Sequence, residues 1–154
     1  MNRVLIAIDD TKGSRNACAA YVNFCACMRP KRITLVYVEK FEGKSLITDM
    51  LGDAEMKTLK EVLKGTEYEA ALDRKAKAVL QQYKNLLAAK GLTGIKTLVK
   101  KGHPAEEILK AAREEKADLI IIGARGKRTT HLFMGSVSRE VVNGAKVPVL
   151  VVKQ

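Results

Sequence analysis

Five short apolar runs rich in β-branched residues recur along this 154-residue chain, at 4–8, 33–38, 95–99, 119–122 and 147–152. Amphipathic helical patterns separate most of them. A strand that is apolar at every position must be buried on both faces. Such strands alternating with helices therefore belong to a parallel sheet covered on both sides. Right-handed crossovers narrow the architecture to an α/β fold, an open, doubly wound, five-stranded parallel sheet with helices on both faces. The length suits one domain, 1–154, with enough chain for a sizeable core. No internal repeat or low-complexity tract divides it.

The helical patterns carry their own punctuation. The first spans about 14–28, with Ser14 as N-cap, Ala17, Tyr21, Phe24 and Met28 on the inward face, and Pro30 ending it. A long pattern over 67–90 has Leu72, Val79, Tyr83 and Leu86 at heptad-like spacing and stops near Gly91 and Gly94. In the stretch 102–108, Pro104 suits the first helical position, and Glu106 and Glu107 suit the positive end of the helix dipole. The last helix runs from near Ser136 to Asn143-Gly144, a left-handed stop signal. The segment 41–66 fits none of these units. Its length reads as a mobile insertion of the lid or partner-contacting kind.

Composition removes several function classes. The net charge is +11 and the pI about 9.7. However, the lysines between 57 and 116 alternate with glutamates such as Glu61, Glu67, Glu106 and Glu114, as on solvated helix faces. That spacing, with no aromatics interleaved, disfavours nucleic acid as the partner while still attracting small polyanions such as nucleotides. No apolar run reaches the roughly 18 residues of a membrane span, and the start of the chain is too short and too acidic for a secretory signal. A cytoplasmic protein is expected. Cys18, Cys25 and Cys27 share one predicted helix. Cys18 and Cys25 lie about two turns apart, too far for a disulfide, and no C-x-x-C is present. They read as small buried hydrophobes, with weak redox sensing a minor option.

Chemistry concentrates where the fourth strand ends. Gly123-Ala-Arg-Gly126-Lys-Arg-Thr-Thr-His-Leu-Phe-Met-Gly135-Ser136 lies between an apolar run and a helix start, an arrangement that lets backbone N–H groups surround a phosphate. Ser136 serves as phosphate ligand and N-cap, Val137 N–H and Ser138 add donors, and Arg125, Lys127 and Arg128 add charge. Ligands of open α/β sheets bind beyond the C-terminal strand ends, where the strand order reverses. Ala7, Ile8 and Asp9 from the first strand, Val38 from the second and Ile122-Gly123 from the fourth converge there. Asp9 can accept hydrogen bonds from ribose hydroxyls, and Val38 and Ile122 can enclose a purine. The segment is neither a Walker A sequence nor a G-x-G-x-x-G fingerprint.

These motifs together resemble the universal stress protein (UspA) family, in its ATP-binding subgroup. That subgroup's signature, G-x2-G-x9-G-[ST] downstream of a first strand ending in Asp, is similar to Gly123-x2-Gly126, Gly135-Ser136 and Val4-Leu-Ile-Ala-Ile-Asp9. Gly102-His-Pro104-Ala-Glu-Glu-Ile108 and the closing 147–152 run extend the likeness over nearly the whole chain. The resemblance implies an adenine nucleotide alpha hydrolase-like fold with strand order 3-2-1-4-5, and a homodimer joined through 147–152. It also implies ATP, or ADP or AMP, with Mg²⁺ arriving on the phosphates. Ala7, Ile8, Asp9, Val38, Ile122 and Gly123 would surround adenine and ribose. Gly126, Gly135, Ser136, Val137 and Ser138 would hold phosphate. Two departures stand out. Only eight residues, 127–134, separate Gly126 from Gly135, one fewer than the pattern, and Asp10 stands where the family has glycine.

No catalytic set is visible. His103 borders a helix start, and His131 lies in the glycine loop without a nucleophile or orienting carboxylate nearby in sequence. A nucleotide-binding regulatory module is the reading the residues favour. A slow ATPase and a nucleotide-free interaction dimer remain as alternatives.

Overall fold

The computed structural model describes residues 2–25, 30–39, 58, 65–124 and 134–153. In chain order the elements are β1 (Arg3–Ile8), α1 (Lys12–Cys25), β2 (Arg32–Glu39), α2 (Glu67–Ala89), β3 (Ile95–Lys101), α3 (Pro104–Glu114), β4 (Leu119–Gly123), α4 (Ser136–Gly144) and β5 (Val149–Val152). The strands form one parallel sheet in the order β3-β2-β1-β4-β5, as expected. Most of the segment 41–66 lies outside the described residues.

The side-chain alternation of β1 explains the layering. Val4, Ile6 and Ile8 turn to one face and pack with Ala17, Cys18 and Tyr21 of α1 and Leu80, Tyr83 and Leu87 of α2. Leu5 and Ala7 turn to the other and meet Ala105, Ile108, Ala111 and Ala112 of α3 and Val141 of α4. With both faces covered, β1 is buried along its length at the centre of the sheet. By contrast β3 is an edge strand, and Lys96, Lys100 and Lys101 keep that edge polar. Among the described residues, no helix is long and apolar enough to cross a membrane.

Four local readings are corrected. The helix α1 begins at Lys12, ahead of Ser14, because Ser14 folds back onto Asp9 instead of capping. The buried stripe of α2 is Ala76, Leu80, Tyr83 and Leu87, a 3.6-residue repeat that leaves Leu86 43% exposed. The helix α4 runs through Gly144, which has no positive φ; the chain leaves it at Ala145 in extended conformation. A Cβ on Gly144 would lie 2.6 Å from Leu109 Cδ1, so this glycine serves the packing of α4 on α3. The last strand starts at Val149, two residues later than the apolar run, after Pro148, whose carbonyl accepts from Ile120 N–H at 3.0 Å. Cys18 is buried, and burial pushes its thiol up to about 12, as befits an inert small hydrophobe. Cys27 and Met28 lie outside the described residues.

The adjacent leucines of α2 give a direct check. Leu87→Ala is expected to cost about 2–5 kcal/mol, whereas Leu86→Ala should stay within about 0.5 kcal/mol. Urea unfolding with an unchanged m-value measures both.

Candidate functional site

The strand order places β1 beside β4 at the centre, where the chain connections part to opposite faces. Beyond the end of β1 lies a tight acidic turn. Asp9 Oδ1 accepts from Thr11 N–H at 2.9 Å, from the Thr11 hydroxyl, and from Ser14 Oγ at 2.6 Å. Asp9 N–H donates to Ser14 Oγ at 2.7 Å. Thr11 and Ser14 are themselves buried, so one carboxylate oxygen is locked from the protein side. Among the described residues no hydrogen bond reaches the other, Oδ2. A half-tied, partly exposed carboxylate is a preorganised acceptor for hydroxyl groups. Asp10 carries its charge away from this turn: Lys75 of α2 lies 2.8 Å from its Oδ2.

The apolar residues divide between the two cores. Ala7, Val38 and Ile122 lie on the face that packs on α3 and α4, with Val38 one step beyond the last β1–β2 pair, Ile8↔Tyr37. Ile8 turns its side chain to the opposite core, leaving only its backbone toward the strand ends. Gly123 has a packing role that the sequence did not reveal. A Cβ there would stand 2.6 Å from the carbonyl carbon of Gly13 and 2.8 Å from its Cα, so β4 and the first turn of α1 meet backbone to backbone.

The glycine loop has well-defined feet. Ala124 N–H donates to Val152 O at 2.8 Å, and the Ala124 carbonyl accepts from Gly135 N–H at 2.7 Å and from Ser138 Oγ at 2.9 Å. The Ser138 hydroxyl also lies 2.9 Å from Gly135 O, and Ser138 is 2% exposed. Gly135 N–H and the Ser138 hydroxyl therefore tie the start of α4 to Ala124. Gly135 is the N-cap of α4 and offers no side chain to it; the first intrahelical bond is Arg139 N–H to Gly135 O at 3.0 Å. The N–H groups of Ser136, Val137 and Ser138 have no acceptor among the described residues. Among the described residues these three donors stand unpaired at the positive end of a nine-residue helix, an arrangement that suits an anion. Gly126 lies outside the described residues, as do Arg125, Lys127, Arg128 and His131.

One cluster at the neighbouring strand ends escaped the sequence reading. Glu39, next to Val38, is 4% exposed; its Oε1 has no partner and its Oε2 lies 3.6 Å from Lys101 Nζ. Lys101 also binds Glu69 Oε1 at 2.9 Å and Asp73 Oδ1 at 3.0 Å, and Glu69 Oε2 accepts from Gly65 N–H at 2.8 Å. Burial, with the Asp73 carboxylate beside it, lifts Glu39 above the usual carboxylate range. The Lys101 hydrogen bond holds Asp73 below that range, and the Gly65 N–H, then Lys101, does the same for Glu69. Only a charged residue ending a buried strand hinted at this. His103 Nε2 lies 3.6 Å from Glu140 Oε2 of α4, both side chains half-exposed. Among the described residues, no group of three or more His, Cys, Asp or Glu side chains could hold a metal ion.

Known proteins share this fold. Residues 1–153 match the family model described as the universal stress protein family. Universal stress protein MJ0577 of Methanocaldococcus jannaschii is 29% identical over 131 residues, covering 82% of this chain and 80% of that one. Its solved structure matches with a TM-score of 0.77 at 27% identity, over 99% of this chain and 96% of that chain. The universal stress protein in the QAH/OAS sulfhydrylase 3′ region of Thermus aquaticus is 41% identical over 87 residues, 56% of this chain and 64% of that protein. The universal stress protein of Archaeoglobus fulgidus in complex with dAMP shares the fold at 17% identity, TM-score 0.65, over 99% of this chain and 98% of that one. Family structures with bound AMP, from Arabidopsis thaliana, and with cAMP share it at 16% and 21% identity, TM-score 0.63 in each case, over 100% and 98% of this chain and 92% and 95% of theirs.

Two outcomes check the geometry. Gly123→Ala must push α1 from β4 and is expected to cost about 1–3 kcal/mol in chemical unfolding. For Glu39 the sign follows from its raised pKa in the folded state. Its full contribution to stability is present below the ordinary value of 4.5 and is lost as the pH rises through the folded value. Glu39→Gln is therefore expected to melt above the parent protein at pH 7 and level with it near pH 4.

Proposed function

The chain belongs to the universal stress protein family, and from that premise we propose that it is an adenine-nucleotide-binding regulatory module, cytoplasmic and homodimeric. The observation that carries this reading is the trio of N–H groups at Ser136, Val137 and Ser138, which have no acceptor among the described residues and follow β4, the strand neighbouring the one that ends at Asp9. The amides suit a phosphate, and the open oxygen of Asp9 suits a ribose hydroxyl. Ala7, Val38 and Ile122 supply apolar surface for the base on one face of the sheet. Family members bound to AMP, dAMP and cAMP support the choice of adenine.

In this reading the α4 amides hold the phosphate nearest the ribose. Further phosphates of ADP or ATP fall to Arg125, Gly126, Lys127 and Arg128, in a loop one residue shorter than the family pattern. Mg²⁺ would ride on those phosphates rather than on a protein cage. The dimer draws support from the edges of the sheet: β3 is guarded by lysines, whereas the half-buried β5 residues Val149, Leu150, Val151 and Val152 are all apolar. No residue is assigned as a hydrolytic base.

Mass analysis of nucleotide released from freshly purified protein, then calorimetry with AMP, ADP, ATP and adenosine, tests the proposal. Absence of binding to all three nucleotides at millimolar concentration contradicts it. A variant isolates the phosphate contact. Proline is well tolerated at the first position of a helix, and the extended Gly135 (φ −61°, ψ 157°) accepts a following proline. Ser136→Pro removes one free N–H and one hydroxyl while leaving the helix intact. It is expected to weaken AMP binding about tenfold without changing adenosine binding or thermal stability.

A further inference from the structure

At the opposite end of the sheet, beside the N-terminal ends of β1 and β2, lies a cleft of about 280 Å³. Its described lining is Asn2, Arg3, Lys31 and Arg32, three cations and one amide. Arg3 and Arg32 are register partners on adjacent strands. Like charges directly opposed across a strand pair are destabilising. Among the described residues, the only carboxylate bonded to this rim is Asp118, whose Oδ2 is engaged by the backbone N–H groups of Asn2 at 2.7 Å and Arg3 at 2.9 Å. Among the described residues, none of the three cations has a carboxylate partner within ion-pair distance. Arg3 Nε is buried without any hydrogen-bond partner. A buried guanidinium N–H lacking an acceptor carries a desolvation cost that only a ligand or solvent in the cleft can relieve.

Clustered cations and an unpartnered buried donor suit an anionic ligand. We propose that the Arg3–Lys31–Arg32 cleft is a second ligand site, built for a terminal phosphate group or a similar tetrahedral oxyanion. The guanidinium groups supply forked donors that match such an oxyanion, and Lys31 adds a mobile point charge. A bound dianion would convert the opposed arginines from a repulsive pair into a bridged one. The six residues of β1 separate this cleft from the Asp9 turn by roughly 20 Å, so it is independent of the nucleotide reading. A terminal phosphate can come from the free ion or from the end of a nucleic-acid strand, and the probes separate these sources.

Nitrogen-15 spectra of the full chain, titrated with inorganic phosphate against chloride at constant ionic strength, test the site. The Arg3 Nε–H signal and the backbone amides of Arg3, Lys31 and Arg32 are expected to move saturably. Arg32 and Lys31 are exposed, so Arg32→Gln and Lys31→Gln retain the fold; each should weaken the response about tenfold. In chloride alone, Arg32→Gln should melt above the parent protein, because the like-charge pair is gone, and it should lose the further rise that phosphate confers. A 5′-phosphorylated oligothymidine should move the same signals, and its unphosphorylated counterpart should not. The proposal is overturned if phosphate leaves these signals in place, if both variants respond as the parent does, or if the unphosphorylated oligonucleotide moves the signals as well; a phosphate response with both oligonucleotides inert assigns the site to the free ion.

Discussion

The end of β4 rests against the first turn of α1 with only backbone between them. Gly123 and Gly13 touch at distances that no Cβ could occupy, and this contact sets two loops side by side. On the β1 side, α1 can start at Lys12 only because the Asp9 turn reverses the chain within three residues, held by Thr11 and Ser14. On the β4 side, the next residue, Ala124, has its N–H on Val152 and its carbonyl gripped by Gly135 and Ser138. The helix that follows is tied by its first turn to Ala124, the residue after β4. A methyl group at Gly123 would separate the halves of the candidate site before any ligand arrived.

The division of labour among the loop's small residues follows from that geometry. Gly135 and Ser138 would be read from sequence as phosphate donors, yet the N–H of the first and the hydroxyl of the second close the loop foot. Donors that remain for a ligand are the backbone amides of 136–138, and they remain because the N-cap is a glycine without a capping side chain. A serine or aspartate at the N-cap would satisfy one of those amides and stabilise the helix, at the expense of the cradle. Local stability and an open anion site oppose each other at this position.

Much of the architecture was legible in the sequence because burial on both faces leaves no polar position in a strand. The apolar runs marked β1, β2 and β4 closely, and Pro104 with its two glutamates marked the start of α3. Other features depend on partners distant in sequence. Nothing local separates Leu86 from Leu87; the sheet surface beneath α2 decides which is buried. The Asn143-Gly144 pair carries a turn signal, but Leu109 determines what its glycine does. Ser14 suits a cap, yet Asp9 competes for its hydroxyl. The Glu39–Lys101 cluster joins residues from three elements, and the opposed Arg3 and Arg32 are visible only once strand register is known. Tertiary proximity, not composition, separates these cases.

The central claim is that the free amides of α4 and the open oxygen of Asp9 hold the two ends of one adenine nucleotide. Amide chemical shifts during titration with AMP, compared with adenosine, test it most directly. AMP is expected to move the N–H signals of Ser136, Val137 and Ser138 together with those around Asp9, whereas adenosine should move the Asp9 region alone. Saturable AMP binding that leaves residues 136–138 unmoved would contradict it.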